Sequence, residues 1–471
     1  MRIESHTAPA SVQWVEDRAY TWTLTLLVVA SVLLSIVPDG FDYSRTGDGA
    51  AAALSEPGFL SRVQWLPLFA LAGWIVLRRL RLALMLLPHL NWVFLLLIAF
   101  AAMSVLWSYD PAVTLRRVIK VVGIVTIALA FQLASWTPER FTQVVRWALA
   151  ACVLASLVAV VFAPSYAIHQ STLYELQGAW RGITTHKNNF GLLGTLTALF
   201  WLHGGLTRQL SWRAAVFGVA LGLLATLMSR SSTNLILFLL CAMVLLMALM
   251  TPRALRDLRV YLVAAVFMIA LLYAVMLLLG FPGYTELMTP VADAFGKDVT
   301  LSSRTDIWAL AWAEIMSRPW VGIGFESFWL DTPVAPSDDL LRALRFSINS
   351  AHNGYLEMAL SLGGIGVGLM IGAYLFYGYM IIKVAPIDRG LFALNAVLLL
   401  IQLISNMMES FILRPVTAEF FITTLAMMNL GRRLLEDRFE RYRLSAAHPP
   451  STAEEAPHAR IGLHQHLPPT R

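Results

Sequence analysis

About twelve long apolar runs, separated by shorter polar stretches, make up the hydropathy pattern of this chain. A helix needs about 20 apolar residues to cross the hydrocarbon core of a bilayer. The runs fall at 20–37, 62–77, 91–107, 118–134, 146–163, 188–204, 214–228, 232–250, 260–280, 353–381, 391–409 and 416–431. The pattern therefore predicts an all-α, polytopic bundle of about 12 transmembrane helices.

The composition supports a membrane protein. Of the 471 residues, 58% are hydrophobic and 14% are charged, whereas soluble domains carry about 25% charged residues. Residues 1–19 are polar, so we expect the first run to be a spanning helix and not a cleaved signal peptide. Cys152 and Cys241 lie inside apolar runs and are expected to be buried thiols. The net charge of +6 is weak evidence for nucleic acid, which we do not expect as a partner.

Loop charges predict the orientation and the domain limits. Lys and Arg concentrate in cytoplasmic loops, and a cytoplasmic N-terminus places most of the short-loop basic residues inside. We then expect a cytoplasmic segment at 1–19 and a membrane domain at 20–431 in contact with bilayer lipids. One long periplasmic loop covers 281–351. Residues 432–471 are expected to form a cytoplasmic charged helix followed by a disordered tail.

Unusual polar residues gather on the outer side of this topology. They are Arg181, His186, Lys187, Arg230, Arg304, His352, Glu409 and Arg414. A charge at the edge of the membrane is costly unless it is paired or functional. Snorkelling to headgroups explains any single arginine. Several arginines and one histidine converging from separate loops indicate a site for an anionic ligand.

The long loop carries its own helix signals. Ser303 to Asp306 fit a capping box, and Pro319 ends the segment. Between them, apolar residues repeat at helical spacing: Ile307, Trp308, Leu310, Ala311, Trp312 and Ile315. This predicts an amphipathic helix, for which a surface position on the membrane is the simplest placement. Gly322-Ile323-Gly324 then form a turn whose amides could line a ligand.

His352 is the candidate general base. We expect it to open the helix that follows the loop, with Ser350 or Ala351 near the cap. The positive helix end disfavours imidazolium and attracts anions, so a neutral His352 beside a phosphate would suit group transfer. A capping or hydrogen-bonded interfacial histidine is the alternative interpretation.

Motif spacing adds a resemblance to a known family. His352-Asn353, nine residues, Gly363, two residues and Gly366 match the pattern of O-antigen ligases. Further blocks are similar to that family: Ser302 to Trp308, Arg318 to Gly324, Gly182-Ile183 with His186-Lys187-Asn188, Ser229-Arg230-Ser231, and Ser104-x-x-Trp107-Ser108. The chain thus resembles the superfamily of O-antigen ligases and of O-antigen and exopolysaccharide polymerases.

The resemblance implies a fold, a reaction and a set of site residues. It implies a GT-C-like glycosyltransferase of the bacterial inner membrane that faces the periplasm. Such enzymes move a glycan from undecaprenyl diphosphate to an acceptor glycan or to lipid A-core. By position, His352 and Arg304 would be catalytic, and Arg230, Arg304 and Arg181 would bind the diphosphate. Supporting roles fall to His186, Lys187, Asn353, Glu357, Glu409 and Arg414.

Three further expectations concern cofactors, outcome and competing functions. The outer loops contain no Asp-x-Asp pair, which favours a reaction without metal or cofactor, with inversion by single displacement. Polymerisation of exopolysaccharide or O-antigen repeats is favoured over O-antigen ligation, and other polysaccharide-assembly proteins are possible partners. A transporter or flippase of lipid-linked sugars is less favoured, because no internal repeat is visible and the charges sit at one face.

Overall fold

Helices supply the regular structure of the described residues. The computed structural model describes residues 18–38, 59–133, 137–170, 176–250, 304–330, 336–337, 350–407, 409–414 and 417–447. The helices are α1 Arg18–Leu34, α2 Phe59–Arg78, α3 Leu80–Leu86, α4 Trp92–Met103, α5 Pro111–Gln132, α6 Pro138–Phe162, α7 Pro164–Ala167, α8 Lys187–Leu206, α9 Trp212–Met228, α10 Ser232–Met250, α11 Arg304–Ser317, α12 Gly354–Val384, α13 Arg389–Ser405 and α14 Ala418–Ala447. An isolated bridge pairs Ile168 with Trp180. The all-α prediction is confirmed for this part of the chain.

The apolar runs became helices, because a backbone in lipid must satisfy its own hydrogen bonds. The run at 260–280 lies outside the described residues. Among those described, Glu139–Phe162, Ser232–Met250 and Gly354–Val384 are long and apolar enough to cross a bilayer. A fourth span results if Leu80–His89 and Trp92–Leu106, bent by 107°, count as one. The total of about twelve stays a prediction.

Two helices form the centre of the bundle. Most residues of α8 and α13 are buried, whereas the surrounding helices bury one face. Small residues allow α8 to approach α9 closely. A Cβ added to Gly194 would lie 2.6 Å from the Gly222 carbonyl oxygen, and one added to Gly218 would lie 1.9 Å from Trp201. Membrane helices associate in this way because lipid offers little hydrophobic gain on contact.

The loops collect at two ends of the bundle. One end, here called the motif end, holds Ser104–Asp110, residues 164–170 and 176–186, Ser229–Ser231, α11 and the start of α12. At the opposite end, basic side chains meet the last carbonyls of helices. Arg79 donates to Leu133 O at 3.0 Å, and Arg389 donates to Ala248 O at 2.8 Å. Cations at helix C-termini are favourable, since partial negative charge accumulates there.

Helix α11 packs on the first half of α12. Ile307, Ala311 and Ile315 follow one another at four-residue spacing, and all three are buried in a cluster with Leu356 and other residues of α12. The helix predicted between the capping box and Pro319 is therefore present. The simple surface position is wrong, because its apolar face is covered by protein.

Candidate active site

His352 does not open α12 as the sequence suggested. The N-cap is Asn353, whose Oδ1 accepts hydrogen bonds from the Tyr355 and Leu356 amides at 3.0 and 3.1 Å. His352 stands one residue earlier in a left-handed conformation, with φ 49°. This geometry turns the chain before the helix begins. Asn353 therefore accepts the hydrogen bonds of the first helical amides, and the His352 side chain is left to make other contacts.

The His352 imidazole meets a carboxylate. Its Nδ1 lies 3.4 Å from Glu409 Oε2, and the two side chains are 34% and 21% exposed. The other carboxylate oxygen accepts a 2.7 Å hydrogen bond from Asn188 Nδ2. Glu409 therefore joins the motif around His352 to the start of α8.

Asn406 holds the turn that carries Glu409. Its fully buried side chain accepts hydrogen bonds from the Phe411 and Ile412 amides at 2.8 and 3.0 Å. The carbonyls of Asn406 and Glu409 both accept from the Gly354 amide, at 2.8 and 3.0 Å. The start of α12 and the Glu409 turn are thus fastened to each other, which fixes the histidine relative to the carboxylate.

A pair of histidines, His169 and His186, organises the start of α8. His186 is the N-cap, and its Nδ1 accepts from the Asn188 amide at 3.3 Å. His169 Nε2 accepts from the Lys187 amide at 3.2 Å, and the two imidazole rings lie 5.3 Å apart in a T-shaped arrangement. Both rings therefore satisfy amide groups at the helix N-terminus. Their geometry orients Asn188 toward Glu409.

Asn234 brings the arginine turn to the same region. Its Nδ2 donates to Asn188 O at 2.9 Å and to Ser231 Oγ at 3.0 Å. Arg230 precedes this serine, has φ 52° and is exposed, and its Nη1 donates to Gln177 O at 2.9 Å. The backbone of the turn is fixed by α10, while the guanidinium extends over residues 177–178.

Arg181 and Lys187 are buried, unlike Arg230. The Nε of Arg181 donates to Tyr166 O at 2.5 Å, and its amide donates to Ala167 O at 2.9 Å. Both bonds tie the segment before α8 to the short helix α7. The position of Arg181 favours a part in holding this segment.

Glu357 anchors the residue before His352. Its carboxylate accepts from the Ala351 amide at 2.9 Å and from Trp329 Nε1 at 2.8 Å. Arg414 lies close enough for its charge to act on Glu357, and its Nη1 reaches Ser410 O at 3.4 Å. The two supporting residues predicted at this position therefore form one electrostatic group beside the histidine.

Helix α11 brings Arg304 into the neighbourhood. Trp308 Nε1 donates to Ala351 O at 3.0 Å, next to His352. Arg304 is the first residue of α11, one turn before Trp308. Its side chain lies outside the described part of the chain. The backbone alone places the first turn of α11 beside the histidine.

The structure corrects a second expectation about the site and adds three residues. The amides of Gly322, Ile323 and Gly324 do not line a ligand, because they donate to the carbonyls of Arg318, Leu360 and Ser361. Sequence reasoning missed His169, Asn234 and Asn406. A polar side chain inside or beside an apolar run is expensive in a membrane, and this signal could have found all three.

Comparison with known proteins gives two similarities. Residues 217–371 match the Wzy_C family model, described as O-Antigen ligase. The matched range contains Arg230, Arg304, His352 and both motif glycines, but not Arg181 or Glu409.

The chain is also 25% identical to the exopolysaccharide production protein ExoQ of Rhizobium meliloti (strain 1021). The alignment spans 303 residues, which is 61% of this chain and 65% of that protein, just under two thirds of its length. The two similarities support an O-antigen ligase/polymerase-like family, as the motif blocks predict.

Proposed function

We propose that this protein is a periplasm-facing membrane glycosyltransferase, as its similarity to O-antigen ligases and polymerases suggests. It transfers a glycan from undecaprenyl diphosphate to the hydroxyl of an acceptor sugar. The observation that carries the proposal is the contact between His352 Nδ1 and the Glu409 carboxylate, which Asn188 and Asn234 connect to the turn that bears Arg230. The family match covers the histidine and two of the arginines.

His352 acts on the acceptor. With Glu409 at Nδ1, the proton on that nitrogen is held and Nε2 is the nitrogen that accepts a proton from the acceptor hydroxyl. The oxygen then attacks the anomeric carbon, and the bond to the diphosphate breaks. Glu409 stabilises the imidazolium that forms, as a carboxylate does behind a catalytic histidine.

The arginines act on the leaving group. Diphosphate gains negative charge as the glycosidic bond breaks, and a guanidinium can donate two parallel hydrogen bonds to phosphate oxygens. Arg230 has five N–H donors, and its bond to Gln177 uses one. Arg230 and Arg304 are the principal diphosphate ligands in this proposal. Arg181, the third candidate for the diphosphate, is buried and bonded to α7, so in this proposal it supports the site by holding the segment before α8.

Charge stabilisation by fixed guanidiniums makes the proposed reaction independent of metal. A single displacement by the acceptor oxygen inverts the anomeric centre. Polymerisation of exopolysaccharide or O-antigen repeats is the preferred branch, and the similarity to an exopolysaccharide production protein supports it. O-antigen ligation to lipid A-core is the alternative branch, supported by the description of the matched family.

Complementation of a deletion strain tests the proposal. His352→Ala and Arg304→Ala should abolish polymer or capped lipopolysaccharide while protein abundance in the membrane stays normal. Arg213→Ala is the matched control, because Arg213 is exposed at the opposite end of the bundle. Normal glycan from both site variants would exclude this assignment.

The material that accumulates distinguishes the two branches. Single repeat units on the lipid carrier indicate a blocked polymerase, because the repeats are made but not joined. Long carrier-linked chains with uncapped lipid A-core indicate a blocked ligase. Activity of the purified protein in excess chelator checks the metal-independent part, and a loss restored by magnesium would overturn it.

A further inference from the structure

Helix α12 is broken in its first third, and the break is filled by another segment. Gly363 has φ 62° and ψ −164°, so the helical hydrogen bonds around it cannot form. The break leaves two carbonyls before it and two amides after it in need of partners. Unpaired backbone groups are costly in a protein interior and more so in a bilayer.

Residues 319–324 supply these partners, and we call them the plug. The Ile323 and Gly324 amides donate to Leu360 O and Ser361 O, both at 3.0 Å. In return, the Gly364 and Ile365 amides donate to Pro319 O at 2.7 Å and to Trp320 O at 3.1 Å. The four bonds close the gap from both sides, so the break and the plug require each other.

The plug and α12 approach each other so closely that their glycine positions have no room for a side chain. A Cβ on Gly363 would lie 2.3 Å from the Trp320 carbonyl carbon, and one on Gly322 would lie 2.6 Å from Leu360 O. Gly366 has a separate reason, because its Cβ would lie 2.2 Å from Leu362 Cβ. At Gly363 and Gly322 the close atoms belong to the backbone, which cannot move aside as a flexible side chain can, so these two positions require glycine.

A third segment holds the plug from the other side. Trp107 Nε1 donates to Val321 O at 3.1 Å, and the Tyr109 amide donates to Ile323 O at 3.1 Å. The Phe325 amide donates to Ser104 Oγ at 2.9 Å. The Ser104-x-x-Trp107-Ser108 block therefore serves to fix the plug between α4 and α12.

The plug also connects the two halves of the site. It follows α11, whose first turn carries Arg304, and it docks in the helix that His352 precedes. Leu356 and Leu360, before the break, lie in an apolar cluster with α11, whereas Leu362 belongs to the main core of the bundle. The part of α12 before the break is therefore held by α11 on one side and by the bundle on the other.

We propose that Gly363 is a positioning residue. The plug seated in the break at Gly363 sets the distance between α11 and α12, and thereby the distance between Arg304 and His352. This inference rests on the proposed glycosyl transfer for its effect on rate. The seating of the plug in the break, here called the clamp, is a matter of geometry and can be measured without any substrate.

Gly363→Ala tests the clamp, with Gly368→Ala as the matched control. Gly368 lies on the same helix, and a Cβ there meets nothing within 4 Å. Spin labels at Met316→Cys on α11 and Leu375→Cys on α12 report the distance between the helices in nanodiscs. Both positions are exposed, and the native cysteines Cys152 and Cys241 are buried.

Gly363→Ala should broaden or shift the distance distribution, and Gly368→Ala should leave it narrow. With lipid-linked repeat units extracted from the deletion strain, kcat should fall at least tenfold in Gly363→Ala and KM should change little. A narrow, unshifted distribution in Gly363→Ala overturns the clamp. An altered distribution with normal kcat overturns the positioning role.

Trp107→Phe decides the question if Gly363→Ala does not fold. It keeps an aromatic ring next to Phe100 and removes the indole N–H that donates to Val321 O. A smaller broadening and a fall in kcat of a few fold support the clamp, and wild-type values for both contradict it. A broadened distribution together with active His352→Ala would leave the clamp standing and remove the proposed function.

Discussion

The charge on Glu409 should matter more than its hydrogen bond to Asn188. Glu409→Gln keeps an oxygen that can accept from Asn188 and removes the negative charge beside His352. The amide nitrogen would then face Nδ1 and donate to it. His352 would carry its proton on Nε2, the nitrogen that has to accept one, as happens when a catalytic carboxylate behind histidine is made an amide.

The geometry sets the size of the effect. At the observed 3.4 Å, opposite unit charges attract by about 5 kcal/mol at an effective dielectric constant of about 20. The side chains are 34% and 21% exposed, so solvent and ions screen part of this. Roughly half, about 2–3 kcal/mol, should remain as lost stabilisation of the imidazolium. That corresponds to a fall in kcat of roughly 30- to 150-fold.

The assay is turnover of extracted lipid-linked repeat units by purified protein in nanodiscs. KM for the donor should change little, because Glu409 does not touch the diphosphate in the proposed geometry. Glu440→Gln is the control, since Glu440 is an exposed carboxylate on the far part of α14. A Glu409→Gln enzyme within twofold of wild type in kcat would refute the role of the carboxylate.

Three further predictions concern the surroundings of the site and the opposite end. Asn353→Ala removes the cap of α12 and should lower the free energy of unfolding by about 1 kcal/mol, seen as a lower melting temperature in detergent. Glu357→Gln turns an amide N–H toward either the Ala351 amide or the Trp329 indole N–H, both of which donate to the native carboxylate, so kcat should fall while KM for the donor is kept. Gln209→Leu deprives the buried Arg146 guanidinium of its 2.6 Å acceptor and should cost about 1–3 kcal/mol of stability, with kcat of the folded protein unchanged. An unaltered melting temperature for Gln209→Leu would contradict this last prediction.

Local patterns were enough to locate the helices. An apolar run of helical length has one good backbone arrangement in lipid, so the predicted runs with described residues became helices without reference to their neighbours. The helix between the capping box and Pro319 was predictable for a similar reason, because the spacing of apolar residues and the start and stop signals of a helix are local features of the sequence. What it packs on was not predictable, because an apolar face suits lipid and protein equally well.

The motif blocks could be recognised in the sequence, but their physical roles could not. The pattern from His352 to Gly366 does not reveal that Asn353 caps a helix, or that Gly363 marks a break filled by residues 319–324. A glycine in an apolar run has several possible uses. Only the approach of a second backbone, at a distance that excludes a Cβ, identifies the one that applies.

The sequence by itself determined the membrane class, the positions of the helices and the residue types of the candidate site, because hydropathy and capping act over a few residues. The tertiary structure decided the partners. Glu409 lies 57 residues after His352 and 221 after Asn188, yet both contact its carboxylate. Contacts over such separations depend on how whole helices pack, and no local pattern encodes the distance between two side chains that meet only when the bundle closes.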